Sequence, residues 1–191
     1  MGNSKKVIVR NLGSVDFEES FKIQKQIQNE IIDIKLNNRK NNLNLSTPNY
    51  LLFMEHNHVY TLGNSGDDKN LLFNEKELDK KGIKFIKTNR GGDITYHGPG
   101  QLVCYPIFDL ENFYTDIHRY LRDLEEIIVG TLDHFGIVAF GNPNETGVWL
   151  DIGSKNERKI CAMGIKVSRW VTMHGLALNV NTDLSYFEGI I

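Results

Sequence analysis

The stretch from residue 90 to residue 107 constrains the fold more than any other part of the chain. It reads R-G-G-D-I-T-Y-H-G-P-G-Q-L-V-C-Y-P-I. Adjacent Gly91 and Gly92 suit a main chain that bends sharply or approaches a ligand closely, and Gly98-Pro99-Gly100 is a turn signal. Residues 102–107 are almost continuously apolar, as in a strand covered on both faces. A glycine-hinged polar loop that leads into a buried strand predicts a small-molecule site on a sheet-based scaffold.

The composition predicts one cytoplasmic domain, residues 1–191, that binds neither nucleic acid nor a membrane. A chain of 191 residues can bury a core of its own. Its net charge of −2 lacks the basic excess of a nucleic-acid-binding protein. The two cysteines lie in apolar runs, which indicates a reducing compartment rather than a disulfide framework. The sequence shows neither a signal-peptide core nor an apolar run long enough to cross a bilayer.

Hydrophobic periodicity predicts an α/β (α+β) fold, in which helices flank a mixed β-sheet. Apolar residues recur at helical spacing over 17–36 and 116–135, and a short helix over 75–81 ends at Gly82. The asparagine-rich stretch 37–49 is predicted to be an exposed loop. Strands are predicted over residues 6–12, 50–54, 58–62, 83–87, 102–107, 136–140, 147–151, 158–167 and 172–180.

The polar residues of the glycine-rich stretch are candidates for a binding site. In a strand, Asp93, Thr95 and His97 share one face, and Ile94 and Tyr96 the other. The stretch lacks the Lys-Ser/Thr of a phosphate-binding loop and the glycine spacing of a dinucleotide site, so it predicts neither. A polar turn around a hydrogen-bonded histidine is the alternative, but the whole cluster favours a site. The other histidines have no metal-ligand spacing, so no metal and no cofactor are predicted.

Lys159 opens the apolar segment K-I-C-A-M-G-I-K-V and has two interpretations. A lysine at the start of a strand often extends to solvent, whereas an ammonium beside a thiol lowers that thiol's pKa. Alternation puts Cys161 on the same face, which makes it the obvious local partner. Its apolar neighbours instead favour a buried, inert thiol, and the same holds for Cys104.

The segment 173–181 carries little side-chain bulk on one face. Leu176, Leu178 and Val180 share one side of a strand, and the other side holds glycine, alanine and asparagine. An aliphatic chain, another backbone or a packed helix would each fit against such a surface.

Four segments together resemble the lipoyl(octanoyl) transferase family, over nearly the whole chain. They are E-H at 55–56 with V-Y-T-L-G at 59–63, the glycine-rich stretch 90–105, K-I-C-A-M-G at 159–164 and H-G-L-A-L-N at 174–179. The resemblance implies a biotin–lipoate protein ligase-like fold. It also implies transfer of an octanoyl group from octanoyl-acyl carrier protein to a lysine of a lipoyl domain, the first step of endogenous lipoate synthesis. The acceptors would be 2-oxoacid dehydrogenase E2 subunits and the glycine cleavage H protein.

The resemblance also assigns roles to individual residues. Lys159 corresponds to the lysine that lowers the pKa of a nucleophilic cysteine, which carries the acyl group as a thioester. The residues that correspond to the acyl-substrate pocket are Arg90, Gly91, Gly92, Asp93, Ile94, Thr95, Tyr96, His97, Ala162, Met163, Gly164, Gly175, Leu176 and Ala177. In the family the cysteine follows a segment like D-L-S-Y-F at 183–187, so we expect it just beyond Ile191.

The sequence leaves open the side-chain face of Lys159 and two alternative functions. Strict alternation puts Lys159 on the face opposite Ala162 and Gly164, although the resemblance gathers all three near the substrate. Backbone amides of 162–164 acting as an oxyanion site, or a bulge at Gly164, would each remove the conflict. The alternative functions are an ATP-dependent lipoate or biotin ligase and a non-catalytic module that binds acyl carriers or lipoyl domains.

Overall fold

The computed structural model describes residues 5–191 as two β-sheets with three α-helices. The strands are β1 (Val7–Ser14), β2 (Asn49–Glu55), β3 (Val59–Leu62), β4 (Lys84–Lys87), β5 (Ile94–His97), β6 (Gln101–Ile107), β7 (Phe140–Asn142), β8 (Glu145–Leu150), β9 (Arg158–Ser168) and β10 (Val171–Asn179). The helices are α1 (Phe17–Asn41), α2 (Glu75–Lys81) and α3 (Ile117–His134). Three short 3₁₀ turns occupy Asp68–Asn70, Leu110–Asn112 and Leu184–Gly189.

The large sheet has seven strands in the order β1-β2-β6-β10-β9-β8-β7. β1 and β2 are parallel, and helix α1 connects them, as a parallel pair requires. The remaining neighbours are antiparallel. A second sheet has the order β4-β3-β5. The predicted mixed sheet flanked by helices is therefore confirmed.

The two long helices cover opposite faces of the large sheet. Ile27 and Ile31 of α1 pack with the odd-numbered residues of β6, such as Val103. Ile128 of α3 packs instead with Cys104, the next residue along β6. The sheet thus has an α1 face and an α3 face, and each fully buried isoleucine contributes about 1.5–3 kcal/mol to the free energy of unfolding.

An aromatic cluster holds the last 3₁₀ turn against the small sheet. The ring of Tyr186 stacks on His58, with centroids 4.3 Å apart, and on Tyr96, at 5.0 Å. The Tyr60 hydroxyl donates a hydrogen bond to the Tyr186 carbonyl at 2.5 Å. Gly189 has no room for a side chain, because an added Cβ would lie 2.4 Å from that hydroxyl. These contacts bring the residues after Asn179 back across the molecule.

Two predicted boundaries were wrong. Helix α1 continues to Asn41, so only part of the asparagine-rich stretch is a loop. Contacts beyond the predicted end support the extra turn: Arg39 pairs with Glu111 at 3.3 Å, the Asn41 side-chain amide donates to Asn37 Oδ1 at 2.6 Å, and the left-handed Asn42 ends the helix. The strand predicted over 136–140 pairs only from Phe140, because the chain leaves α3 through a left-handed Gly136 with φ 73°.

Candidate active site

A cavity of about 790 Å³ lies between the two sheets. Its walls come from β5 of the small sheet and from β8, β9 and β10 of the large sheet, on the α1 face. Phe17 at the start of α1 closes one side, and Ile190 and Ile191 reach the rim. The volume falls within the range of about 300–1,000 Å³ typical of small-molecule sites.

The floor of the cavity is formed by small residues on two paired strands. Ala162 pairs with Ala177, and Gly164 pairs with Gly175. All four line the cavity, together with Met163 and Leu176, which lie between them in sequence. The face without side-chain bulk that the sequence predicts is therefore a cavity floor on the α1 face, and it begins at Ala177, which also packs in the cluster with Ile27 and Ile31 of α1.

Gly164 also allows the glycine-rich stretch to dock on β9. A Cβ at this position would lie only 2.7 Å from the Gly91 carbonyl oxygen and 3.3 Å from Cδ of Arg90. The Gly91 N–H donates to the Ile165 carbonyl at 2.9 Å. Gly91 itself does not line the cavity. Its role here is to attach the loop to the large sheet.

Arg90 is a buried cation at the junction of the two sheets. It is 8% exposed, and its Nη2 donates to the Thr61 carbonyl at 2.5 Å and to Thr61 Oγ1 at 2.9 Å. Its Nη1 donates to the Gly91 carbonyl at 3.0 Å. Burial lowers the pKa of Arg90 to about 10, so the side chain is still charged at neutral pH. A fixed positive charge therefore lies at the cavity wall.

The remaining residues of the stretch divide between the cavity and the aromatic cluster. The residues that line the cavity are Gly92, Asp93, Ile94, Thr95 and His97. Tyr96 points the other way: its hydroxyl lies 2.7 Å from His58 Nδ1 and its ring packs in the cluster around Tyr186. Of the pocket residues predicted from the resemblance, Gly91 and Tyr96 are thus the two that lie behind the cavity wall rather than on it.

His97 is held in its neutral form. Its Nδ1 lies 2.8 Å from Gln101 Oε1, and Gln101 Nε2 donates to Asn179 Oδ1 at 2.9 Å. Because the amide oxygen accepts, His97 carries its proton on Nδ1. Burial, with smaller effects of neighbouring positive charge, lowers the pKa of His97 to about 3. At neutral pH it offers the cavity a neutral imidazole.

His174 has an unusual backbone in the middle of β10. Its φ is 61°, in the left-handed region, which costs a residue with a side chain on the order of 1–3 kcal/mol. Its N–H donates to Gln24 Oε1 of α1 at 2.9 Å, and its Nε2 lies 2.9 Å from Asn89 Oδ1. Burial, and then the charge of Arg90, lower the pKa of His174 to about 3. The strained backbone turns this imidazole into the cavity wall.

A β-bulge brings Lys159 to the cavity. Val148 of β8 pairs with Cys161, but the next residue, Trp149, pairs with Lys159, so Ile160 is an extra residue in β9. The side chains of Lys159 and Ala162 consequently share the cavity. The bulge removes the conflict posed by strict alternation, at a position different from the expected Gly164.

The Lys159 ammonium has two close partners on β8. Its Nζ lies 4.5 Å from the centroid of the Trp149 ring and 3.8 Å from Glu145 Oε2. The side chain is 35% exposed, so it lies at the cavity mouth and does not extend freely into solvent. Trp149 and Glu145 also line the cavity.

Both cysteines lie on the other face of the sheet. Cys104 is 6% exposed and Cys161 is fully buried, and both belong to the core cluster under α3. Burial raises the pKa of each thiol to about 12. Neither lines the cavity. These two thiols are therefore poorly suited to act as nucleophiles.

A match to a family model identifies the family of this chain, and it covers almost all of the residues described above. Residues 19–191 match the model of the lipoyl protein ligase A/B catalytic domain. The chain belongs to this family. Curated relatives named Octanoyltransferase include one from Christiangramia forsetii, 59% identical over 98% of this chain and 80% of the relative, and one from Flavobacterium johnsoniae, 58% identical over 98% and 81%. Within the family the chain therefore belongs with the octanoyltransferases, which are acyltransferase enzymes.

Solved structures of the lipoyl protein ligase A/B family have the same fold. A bipartite lipoate protein ligase from Thermoplasma acidophilum has a TM-score of 0.66 at 19% identity, over 97% of this chain and 65% of its own. A lipoate-protein ligase A bound with ATP has a TM-score of 0.64 at 18% identity, over 97% and 70%. At these identities the likeness establishes the fold alone, and the biotin–lipoate protein ligase-like prediction is confirmed.

Several residues that line the cavity had no site role predicted from the sequence, although four of them (Gln101, Tyr105, His174 and Asn179) lie within the motifs that carry the resemblance. They are Phe17, Gln101, Tyr105, Glu145, Thr146, Trp149, His174, Asn179, Leu184, Phe187, Ile190 and Ile191. Alternation along β8 carried a signal for one of them, since Val148 in the core implies that Trp149 faces the other side. Within residues 5–191 no three His, Cys, Asp or Glu side chains cluster as metal ligands, and no helix is long and apolar enough to span a membrane.

Proposed function

We propose that this enzyme transfers an octanoyl group from octanoyl-acyl carrier protein to a lysine of a lipoyl domain, the first step of endogenous lipoate synthesis. The observation that carries the proposal is the bulge in β9, which puts the Lys159 ammonium beside a cavity with a floor of small residues. Relatives 58–59% identical over almost all of the chain bear the name Octanoyltransferase. The proposed acceptors are 2-oxoacid dehydrogenase E2 subunits and the glycine cleavage H protein.

The cavity suits a medium-length acyl chain. Each buried methylene contributes about 0.8 kcal/mol, so an eight-carbon chain gains on the order of 5 kcal/mol from apolar walls. Ala162, Gly164, Gly175 and Ala177 leave room for it along the floor. The neutral His97 adds a polar group without a charge, and we assign it a place near the thioester carbonyl.

The reaction we propose proceeds through a cysteine thioester, in two balanced steps. A thiolate attacks the donor carbonyl, the bond from that carbonyl to the carrier sulfur breaks, and the carrier thiol leaves with a proton. The acceptor lysine amine then attacks the enzyme thioester, its carbon–sulfur bond breaks, and an amide forms with release of the enzyme thiolate and of the amine's proton to solvent. We assign the nucleophile to a cysteine just beyond Ile191, and Lys159 to the role of lowering its pKa.

The test is an assay of the full-length protein with octanoyl-acyl carrier protein and a lipoyl domain, in the absence of ATP. We expect the mass of one octanoyl group on the lipoyl domain, and a trapped acyl-enzyme when the acceptor is left out. Alkylation of the reactive thiol should abolish both products. A product that forms only with free octanoate and ATP would contradict the proposal and identify a ligase.

A further inference from the structure

Strand β8 holds the Lys159 side chain from two sides. The indole of Trp149 lies under the ammonium at 4.5 Å, and the Glu145 carboxylate lies at 3.8 Å. Gly147 makes space for the lysine stem, because an added Cβ would lie 3.3 Å from both Cδ and Cε of Lys159. Its φ of +127° suits glycine as well. The bulge in β9 sets the side of the sheet on which Lys159 emerges, and β8 then holds its ammonium at the cavity mouth.

The hairpin β7–β8 is in turn held from the other side of the sheet. Glu125 of α3 is 3% exposed, and its Oε1 accepts a hydrogen bond from the Gly147 N–H at 2.8 Å. Its Oε2 accepts from Arg122 Nη1 at 2.8 Å, and Arg122 also donates to the Asn142 carbonyl at 3.0 Å. A buried carboxylate that is fully hydrogen-bonded gives the hairpin a rigid base.

We propose that Trp149 and Glu145 are positioning residues that set the strength with which Lys159 activates the reactive thiol. This proposal rests on the role proposed above for Lys159. The ring face of Trp149 attracts the ammonium and keeps it at the cavity mouth. The Glu145 carboxylate partly offsets the ammonium's charge, so it opposes the stabilisation of a nearby thiolate. Trp149 therefore favours a low pKa of the thiol, and Glu145 keeps that pKa from falling so low that the thiol's nucleophilicity is lost.

The other charged groups around the cavity do not compete for this role. Arg90 and Asp93 line the cavity, but within residues 5–191 the ion pair of Lys159 is with Glu145. Arg158, the neighbour of Lys159 on β9, pairs with Asp151 instead. His97 and His174 also face the cavity and stay neutral down to about pH 3. Among residues 5–191, Glu145 is thus the charged partner of Lys159 to vary.

The experiment measures the rate of iodoacetamide alkylation of the reactive thiol against pH, in the full-length protein. E145Q should lower the apparent pKa of that thiol by about half a unit, because a partly exposed ion pair has a modest effect. W149L should raise it by about half a unit or more and lower kcat several-fold with little change in KM. W149F, which keeps an aromatic face, should raise the thiol's pKa less than W149L does.

E126Q is the matched control, because it removes an equal charge from the exposed side of α3 on the opposite face. K159A separates this inference from the function on which it rests. If K159A raises the thiol's pKa while E145Q and W149L both behave like E126Q, the positioning role is wrong and the proposed function stands. If K159A itself leaves the pH dependence of alkylation unchanged, the role proposed for Lys159 is wrong. Should W149L fail to fold, the E145Q shift decides the question.

Discussion

The two faces of the large sheet use the same strands for opposite purposes. On the α3 face, Val148, Cys161 and Leu178 close into an apolar core with the helix. On the α1 face, the neighbouring residues Ala162 and Ala177 leave an open floor under the second sheet. A site therefore forms where helix cover stops and side chains are small. A reactive side chain such as that of Lys159 can act at this site only if it lies on the open face.

The largest effect should come from replacing Lys159, the residue that the bulge moves to the open face. Lys159→Ala removes the ammonium from the cavity mouth, so the reactive thiol should return toward its ordinary pKa. We expect kcat/KM for octanoyl transfer at pH 7 to fall on the order of 100-fold. Lys155→Ala, in the exposed loop before β9, is the control. If Lys159→Ala and Lys155→Ala had equal activities, the position of Lys159 on the open face would have no functional importance.

The second effect is a loss of stability in acid, which we expect from the buried histidines that line the cavity. The pKa of His97 is lowered to about 3 in the folded protein, whereas the unfolded chain takes up the proton near pH 6.5. Stability is therefore complete above pH 6.5 and is lost as the pH falls toward 3, by up to about 1.4 kcal/mol per pH unit for this group. In urea unfolding between pH 4 and pH 7, His97→Asn should have the shallower slope. Equal slopes in the wild type and in His97→Asn would contradict this account.

The third effect contrasts two glycines, one for each face. Gly164→Ala forces a Cβ to within 2.7 Å of the Gly91 carbonyl oxygen, so it should lower the free energy of unfolding by about 1–3 kcal/mol and slow octanoyl transfer. A Cβ added at Gly130 in α3 would have nothing within 4 Å. Gly130→Ala should therefore raise stability by about 0.5–1 kcal/mol. If thermal unfolding shows that both substitutions raise stability, or that both lower it, the close contact at Gly164 does not have the effect on stability that we expect.

The smallest effect should follow from removing a thiol on the closed face. Cys161→Ala deletes one buried sulfur and should cost about 1 kcal/mol of stability. Because burial raises the pKa of this thiol to about 12, formation of the acyl-enzyme should persist. Mass spectrometry of the enzyme after incubation with octanoyl-acyl carrier protein measures this directly. A folded C161A protein that takes up no acyl group would identify Cys161 as the nucleophile.

Local sequence signals predicted the elements that short-range chemistry determines. The helix over 75–81 ends at Gly82, which is left-handed with φ 63°, and the amphipathic helix α3 lies within one residue of its predicted bounds. The small-residue face of β10 was likewise visible from alternation alone. In these three cases neighbouring residues determine the element type, the terminus or the side-chain face, so the sequence alone predicts it.

Features that depend on partners distant in sequence could not be predicted. The bulge at Ile160 arises from the pairing of β9 with β8, and a single strand carries no sign of it. Beyond residue 36, helix α1 is supported by the ion pair of Arg39 with Glu111, 72 residues away. Tyr96 was grouped with the pocket by its place in a motif, but the aromatic cluster around Tyr186 fixes its direction.

The bulge has a consequence for how this hairpin tolerates change. The side on which Lys159 emerges is determined between Val148 and Cys161, where the strands are already paired. The connection between β8 and β9, residues 151–157, is exposed and joins the two strands beyond their last pair, Leu150 with Arg158. Insertions there should leave the chemistry untouched, whereas deletion of the single residue Ile160 would transfer the amine to the wrong side of the sheet. A change of length should therefore be tolerated in the loop but not in strand β9.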